Sequence, residues 1–247
     1  MTWNLEQLRE DVSIVFGNEQ RELLSPSLNS IVDRQTYARF HFQESKRILG
    51  EVLNGRDEQS ILTDLIFGAD RNAQHEFAYR RKLAEAHIVA FLQSLHSLSD
   101  ILAHAIYFAL GLNLCKTTRL APKRVYLHKV QALLPPGEVN IHLKELIDHE
   151  DYRYLANIVN HSKHRSVVQT PYSVDATGCD TQPHGLKFAA FVYDDQAYPA
   201  RWADPFMESE FHRQSALITR TGEFLNDLVR SRRNLGAMND SHKNINF

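Results

Sequence analysis

Residues 70–112 decide the fold, and they read DRNAQHEFAYRRKLAEAHIVAFLQSLHSLSDILAHAIYFALGL. The stretch contains no proline, and its single glycine, Gly111, stands next to its end. Its apolar residues recur at spacings of three and four, which is the period of an amphipathic α-helix. Such a helix of about 40 residues is about 60 Å long, because each residue adds about 1.5 Å. The pattern therefore predicts a central helix on which the rest of the chain packs.

Helical periodicity also predicts helices on both sides of this stretch. They cover residues 3–16, 26–54, 57–67, 125–134, 139–147, 152–165 and 204–233. Pro26 follows Ser25, which is typical of a helix start, and Gly17 and Gly68 are typical of helix ends. The predicted fold class is mainly α, an up-and-down helical bundle with long helices and a small antiparallel β-hairpin insertion.

The insertion is predicted at about residues 166–193. Residues 166–174 and 186–193 are rich in Val, Thr, Tyr and Phe, and turn-forming residues separate them. An isolated hairpin is only marginally stable, so we expect this one to pack on the helices or on another chain. No change in composition marks a domain boundary. We therefore predict one domain over residues 1–233 and a mobile tail over 234–247.

The composition is that of an ordinary soluble globular protein. The 247 residues are 43% apolar and 23% charged with a net charge of −2, so no global excess of charge points to nucleic acid or membrane. Cys115 and Cys179 lack CxxC spacing and are expected to be free thiols in a reducing compartment. The N-terminal residues lack the apolar segment of a signal peptide, and the apolar run at 101–114 is too short to cross a bilayer. These features predict a cytoplasmic protein without a membrane partner.

The predicted helix over 152–165 carries the densest group of reactive side chains. At 100° per residue, one polar stripe contains Arg153, Asn157, Asn160 and His164, with His161 at its edge. A metal-independent ribonuclease needs a base, a proton donor and positive charge for the phosphate. Residues of the right types are His164, Asn160, Lys163, His161 and Arg153. The alternative is a solvated helix end, where cations interact favourably with the helix dipole.

A second polar row lies on the central helix. His96, Asp100 and His104 are spaced one turn apart on a single face. The row could bind a divalent metal, form a hydrogen-bonded network with the stripe on the 152–165 helix, or face solvent. No ExxH pair stands on a matching partner helix, which argues against a di-iron centre.

A third feature is a run of basic residues without an intervening acid. It consists of Lys116, Arg119, Lys123, Arg124 and Lys129. Such charges bind phosphate, and Tyr126 and His128 between them could stack on bases. A solvated loop is the alternative reading. Motifs of P-loop proteins, dinucleotide-binding folds, α/β-hydrolases and zincins are absent from the sequence.

The helical order and the segment from Arg153 to His164 resemble the HEPN superfamily. The resemblance implies a helical bundle that dimerises, needs no cofactor and, in the active branch, cuts RNA without a metal. The active motif of that family is Arg, four to six residues, then His. Here seven residues separate Arg153 from His161, and three separate Asn160 from His164. This spacing differs from the active pattern and suits an inactive relative or an unrelated bundle as well.

Three functions follow as expectations. The first is an RNA-binding or RNA-cleaving protein whose polar pocket lies between two helices, with Lys123 and Arg124 as further binding residues. The pocket would consist of His96, Asp100, His104, Asn160, Lys163 and His164. The second is a non-enzymatic module that binds a protein partner or its own copy through the hairpin and helix faces. The third is a metal-dependent bundle enzyme.

Overall fold

The computed structural model describes residues 3–56, 60–175, 177–178, 180 and 182–243, without the side chains of 62, 63 and 236–243. The prediction of a mainly α fold is confirmed. The α-helices of the described residues are α1 Leu5–Phe16, α2 Asn18–Leu53, α3 Arg71–Ala109, α4 Leu127–Gln131, α5 Glu138–Asp148, α6 Glu150–His164 and α7 Ala203–Lys243. A π-helix covers Ile61–Ile66 and a 3-10 helix covers Pro122–Arg124.

Helix α3 has the extent that the sequence predicts, and both of its ends have a clear cause. At its start, the Asp70 carboxylate accepts hydrogen bonds from the backbone N–H groups of Asn72 and Ala73 (2.9 and 3.2 Å). At its end, Gly111 adopts a φ of +65°. The Leu112 N–H then donates to the Tyr107 carbonyl at 3.0 Å, which closes a Schellman motif.

Helix α2 differs from the prediction at its start. It begins at Asn18, so Pro26 lies inside the helix and not in its first turn. Only Gly17, with a φ of +94°, separates α2 from α1. The Ser25 hydroxyl donates to the Arg21 carbonyl at 2.7 Å, in the turn where proline lacks an N–H. The helix predicted over 57–67 is in its described part a π-helix, and residues 57–59 lie outside the described residues.

The last helix is longer than predicted. Helix α7 continues past Arg233 to Lys243, so most of the segment predicted as a tail has a helical backbone. Residues 244–247 lie outside the described residues. None of the described helices is both long and apolar enough to cross a membrane. Cys115 is exposed and free, as expected, and Cys179 lies outside the described residues.

The predicted antiparallel hairpin is confirmed, because a strand of the first segment pairs with a strand of the second, and three further described strands follow. The described strands are β1 Tyr172–Val174, β2 His184–Phe188, β3 Phe191–Tyr193, β4 Gln196–Tyr198 and β5 Arg201–Trp202. They form an antiparallel sheet in the order β1-β2-β5 and a separate β3-β4 hairpin. The segment 186–193 is therefore two strands, divided at Ala189 and Ala190. The β3-β4 turn consists of Asp194 and Asp195, whose φ angles of 48° and 60° are those of a type I′ turn.

The strands pack on helices of the same chain. Phe188 and Phe191 are buried, and their rings lie 6.3 and 5.5 Å from the ring of Tyr154 on α6. Phe206 on α7 adds a further edge-to-face contact with Phe188 at 6.0 Å. Phe188 and Phe191 of the segment 186–193 are thus buried within the chain, whereas Val192 is exposed.

The chain divides into two compact units. Unit 1 comprises the chain up to Gln35, Ser97–His149 and the chain from His212 onward, and unit 2 comprises Thr36–His96 and Glu150–Phe211. Helices α2, α3 and α7 each contribute residues to both units. Each unit has its own buried apolar residues, such as Leu8 and Leu143 in unit 1. In unit 2, aromatic side chains of β2, β3, β4 and α7 surround Tyr154 on α6.

In unit 1, Trp3 connects the start of the chain to α7. Its indole Nε1–H donates to the Asn226 side chain at 3.0 Å, and the Asn226 amide donates to the Asn4 carbonyl at 2.8 Å. The indole also lies directly against Gly222, where an added Cβ would come within 2.0 Å of the ring. Position 222 therefore has room for hydrogen only.

Gly222→Ala is expected to destabilise the protein by about 1–3 kcal/mol, because the new methyl group would displace the Trp3 ring from its hydrogen-bonded position. The measurement is the urea denaturation midpoint. The matched control is Gly50→Ala, since a Cβ there meets only the Asn54 side chain at 3.6 Å. Equal stability of Gly222→Ala and the wild type would contradict the prediction.

Candidate nucleic-acid interface

The polar face of α6, in unit 2, is partly covered by the β3-β4 hairpin. The Asn157 amide donates to the Tyr198 hydroxyl at 2.5 Å and to the Arg153 carbonyl at 2.8 Å. Burial raises the pKa of Tyr198, so its hydroxyl stays protonated at neutral pH. The Asn157 side chain therefore links the β3-β4 hairpin to α6 by a hydrogen bond.

His161 is held in one tautomer at the last turn of α6. Its Nδ1 lies 2.7 Å from the Ser166 carbonyl oxygen, and because a carbonyl only accepts, Nδ1 carries the hydrogen. The ring also packs edge-on against Phe191 and Tyr193, with centroids 5.6 and 6.3 Å away. In the neutral ring the lone pair is consequently on Nε2. This is the arrangement that general bases use.

Arg165 and Tyr193 form a contact beside this histidine that the sequence does not reveal. The guanidinium lies 4.9 Å from the Tyr193 ring centroid and donates to the Val192 carbonyl at 3.1 Å. Asp194 lies 3.9 Å from the same guanidinium. Only the hairpin turn brings these groups to α6, and that turn contains no glycine that would have predicted it.

The other predicted residues of α6 are distributed along the helix. Lys163 and His164 are exposed, and within the described ranges the side chain of neither forms a hydrogen bond or an ion pair. Asn160 is half-buried, and Arg153 is exposed. His164 follows Arg153 by eleven positions, which is about 16 Å along the helix. The structure therefore groups His161, Lys163 and His164 at one helix end and does not bring Arg153 to them.

The predicted row on α3 divides between the two units. His96 belongs to unit 2, whereas Asp100 and His104 belong to unit 1. The Asp100 carboxylate accepts a hydrogen bond from the Leu127 N–H (3.4 Å) at the first residue of α4. The ring of His104 lies 6.1 Å from that of Phe108. Asp100 thus has a structural role in unit 1, where it caps α4.

His104 is expected to make stability depend on pH. Burial lowers the pKa of His104, and the Asp100 carboxylate partly opposes this effect. The folded state therefore favours the neutral ring more than the unfolded chain does, where the pKa of histidine is about 6.5. The resulting stabilisation is complete above about pH 6.5 and is lost as the pH falls through that value towards the lower pKa of the folded state.

The test is thermal unfolding at about pH 7.5 and about pH 5. We expect the midpoint of the wild type to fall more on acidification than that of His104→Gln, which cannot titrate. His128→Gln removes an exposed imidazole and serves as the control that behaves like the wild type. Identical acid sensitivity of His104→Gln and the wild type would contradict this role of His104.

Hydrogen bonds and buried side chains fix the backbone of the basic segment, residues 116–129 of unit 1. The Leu120 N–H donates to the buried Tyr107 hydroxyl at 2.7 Å, and Asp100 accepts from Leu127. Val125 and Leu127 are buried and anchor the segment. Its backbone is therefore fixed although most of its side chains face solvent.

All the cations of the basic segment are exposed. The exposed side chains include Lys116, Arg119, Lys123, Arg124, Tyr126, His128 and Lys129. No acidic residue occurs in the sequence between Cys115 and Gly137. Within the described part of the chain, Lys116, Lys123, Arg124 and Lys129 take part in no ion pair. The segment is thus a cationic surface with an aromatic ring among the charges.

In comparisons with protein-family models, curated proteins and solved structures, the chain shows no match. The resemblance to the HEPN superfamily therefore stays a prediction. Of the predicted site residues, Lys123 and Arg124 lie in the basic segment, and His161, Lys163 and His164 lie at the end of α6.

Proposed function

We propose that the protein binds RNA through the basic segment. The observation that carries this proposal is the set of five exposed cations without an acidic neighbour in the sequence. Phosphate contacts from Lys and Arg supply most of the affinity in sequence-independent binding of nucleic acid. Because the whole chain has a net charge of −2, the attraction has to be local, and this segment is where positive charge is concentrated.

Single-stranded RNA fits this surface better than a duplex. Tyr126 is exposed between Arg124 and His128, so a ring is available for stacking where the phosphates would be bound. Stacking on aromatic side chains requires unpaired bases, and it contributes about 1–3 kcal/mol per base. The neighbouring buried anchors, Val125 and Leu127, would keep the ring and the charges at a constant spacing.

The test is fluorescence anisotropy with a labelled single-stranded RNA of about 20 nucleotides between about 50 and about 200 mM salt. We expect Lys123→Glu/Arg124→Glu to weaken binding by about tenfold or more at the lower salt concentration. The slope of the logarithm of the binding constant against the logarithm of the salt concentration should also decrease, because two phosphate contacts are lost. Tyr126→Ala is expected to weaken binding with little change in the salt dependence.

The control variant carries the same change of charge elsewhere. Arg71→Glu/Lys144→Glu reverses two exposed cations that lie outside the basic segment and outside α6. It is expected to bind within about twofold of the wild type, because it removes no phosphate contact. An equal loss of RNA affinity in both double variants would mean that binding depends only on the net charge of the protein, and the proposal would be wrong.

Metal-independent RNA cleavage at the end of α6 is the alternative. It is favoured by the fixed tautomer of His161, whose lone pair is on Nε2, and by the exposed cation Lys163 in the same last turn of α6. Incubation with RNA in EDTA tests it. Loss of cleavage in His161→Ala and His164→Ala would support it, whereas wild-type protein that leaves RNA intact would exclude it.

A homodimer or a protein partner is the second candidate function. In unit 1 an apolar cleft of about 180 Å³ is lined mainly by Leu134, Pro135, Val139, Phe224 and Leu228. Phe224 and Leu228 are exposed on successive turns of α7, where burial by a partner would be favourable. Leu228→Glu is expected to lower the mass measured by sedimentation if the protein self-associates through this cleft. An unchanged mass would exclude this surface as a dimer interface.

A further inference from the structure

Two histidines from different helices of unit 2 meet at the surface. His41 on α2 and His87 on α3 place their Nδ1 atoms 2.9 Å apart, with ring centroids at 5.2 Å and an interplanar angle of 49°. Both side chains are half-buried. At this separation only one of the two Nδ1 atoms carries a hydrogen, so the other presents its lone pair.

We propose that His41 and His87 bind a divalent transition-metal ion of the Zn²⁺, Ni²⁺ and Cu²⁺ class through their Nδ1 atoms. Metal–nitrogen bonds to histidine are about 2.0–2.1 Å long, so two of them place the nitrogens about 2.9 Å apart at the angle of about 90° of a tetragonal Cu²⁺ or Ni²⁺ site and about 3.3 Å apart at the tetrahedral angle of Zn²⁺. The observed separation of 2.9 Å therefore equals that of two neighbouring ligands of Cu²⁺ or Ni²⁺, and Zn²⁺ requires the two rings to move apart by about 0.4 Å. Imidazole nitrogen is a preferred ligand of all three ions.

The two histidines can bind the ion without a net gain or loss of protons. In the pair without metal, one ring carries its hydrogen on Nδ1 and donates it to the other ring. When the ion binds, the donating ring changes tautomer and carries the hydrogen on Nε2, by exchange with water. Two neutral imidazoles then hold the ion through two Nδ1 lone pairs. No net proton is released, and no oxidant or reductant is needed.

The surroundings of the pair suit an open metal site. The half-buried Glu44, one turn after His41 on α2, contributes negative charge, although its carboxylate is bonded to Arg47 at 2.8 Å. Phe40 lies edge-on to both rings, at 5.3 and 6.2 Å, and is itself 52% exposed. An apolar ring on one side limits water there, and two protein ligands leave the other coordination positions for water or an exogenous ligand.

The experiment begins with protein stripped by EDTA and titrated with ZnCl₂, and separately with CuSO₄, in a calorimeter. We expect one site, which His41→Ala and His87→Ala each weaken by about tenfold or more. The electron paramagnetic resonance spectrum of one equivalent of Cu²⁺ is expected to show hyperfine coupling to two nitrogens, and either variant should lose one. His128→Ala is the control, because it removes a single exposed imidazole and should leave the site unchanged.

His87→Gln provides a second variant that keeps a polar side chain, and circular dichroism melts show whether each variant is folded. A folded His41→Ala/His87→Ala protein that binds Zn²⁺ with the affinity and stoichiometry of the wild type would overturn the proposal. Wild-type protein that binds no more tightly than the double variant would also overturn it. In that case the pair is an ordinary hydrogen bond between two helices.

Discussion

Tyr154→Ala is expected to lower the free energy of unfolding by about 4 kcal/mol, because it empties the centre of the aromatic core of unit 2. Tyr154 is only 1% exposed. Its ring lies 5.0 Å from that of Phe206, 5.5 Å from that of Phe191 and 5.9 Å from that of Tyr198. The Arg201 guanidinium covers the ring at 4.6 Å. Alanine would therefore leave a cavity and remove aromatic and cation–π contacts together.

Tyr154→Phe is the matched control. Burial raises the pKa of Tyr154, so its hydroxyl remains protonated and donates to the Pro199 carbonyl at 3.3 Å. Phenylalanine keeps the ring and loses only this long hydrogen bond, which is expected to cost about 1 kcal/mol or less. Urea denaturation of both variants measures the difference. Similar losses in the two variants would show that the ring itself is not central to the core.

Arg233→Ala is expected to destabilise the protein by about 2–3 kcal/mol, because it leaves a carboxylate inside unit 1 without its cation. Asp11 is fully buried. Its Oδ1 accepts from the Arg233 guanidinium at 2.7 Å and from the Gln7 amide at 3.2 Å. Because the arginine side chain itself is 41% exposed, the expected loss is smaller than for a pair buried on both sides.

Two variants separate this effect from an ordinary loss of charge. Arg230→Ala breaks an exposed pair with Asp227 at 3.4 Å and is expected to cost about 0.5 kcal/mol or less. Asp11→Leu/Arg233→Met removes both charges of the buried pair and is expected to recover most of the stability. If Arg233→Ala and Arg230→Ala have the same denaturation midpoint, the buried carboxylate does not depend on Arg233.

The helices could be predicted from the sequence where one local rule applies. Apolar periodicity and Gly111 are sufficient to predict α3, because both ends of this helix are determined by residues within the stretch 70–112. The start of α2 was predicted wrongly because Pro26 favours a first turn, whereas here it lies inside a helix that already begins at Asn18. The antiparallel pair β1-β2 could be predicted from its β-forming residues, but the β3-β4 hairpin was missed because its Asp194–Asp195 turn lacks the usual glycine.

The candidate sites were predictable only where their residues are consecutive. The run from Lys116 to Lys129 lies in one exposed segment, so its charge is visible in the sequence. The polar residues of α6 were predicted to share one helix face. The sequence does not show that one of them, Asn157, donates a hydrogen bond to Tyr198 of the β3-β4 hairpin. His41 and His87 are 46 residues apart on different helices, and no spacing rule connects them.

The contact of Trp3 with α7 also has a consequence for synthesis on the ribosome. Trp3 and its hydrogen-bond partner Asn226 are 223 residues apart in the chain. At about 5–20 residues per second, Asn226 is made about 10–45 s after Trp3. Until then the hydrogen bonds that join Trp3 and Asn4 to α7 cannot form. The start of the chain therefore takes its final place in unit 1 only after most of the chain has been synthesised.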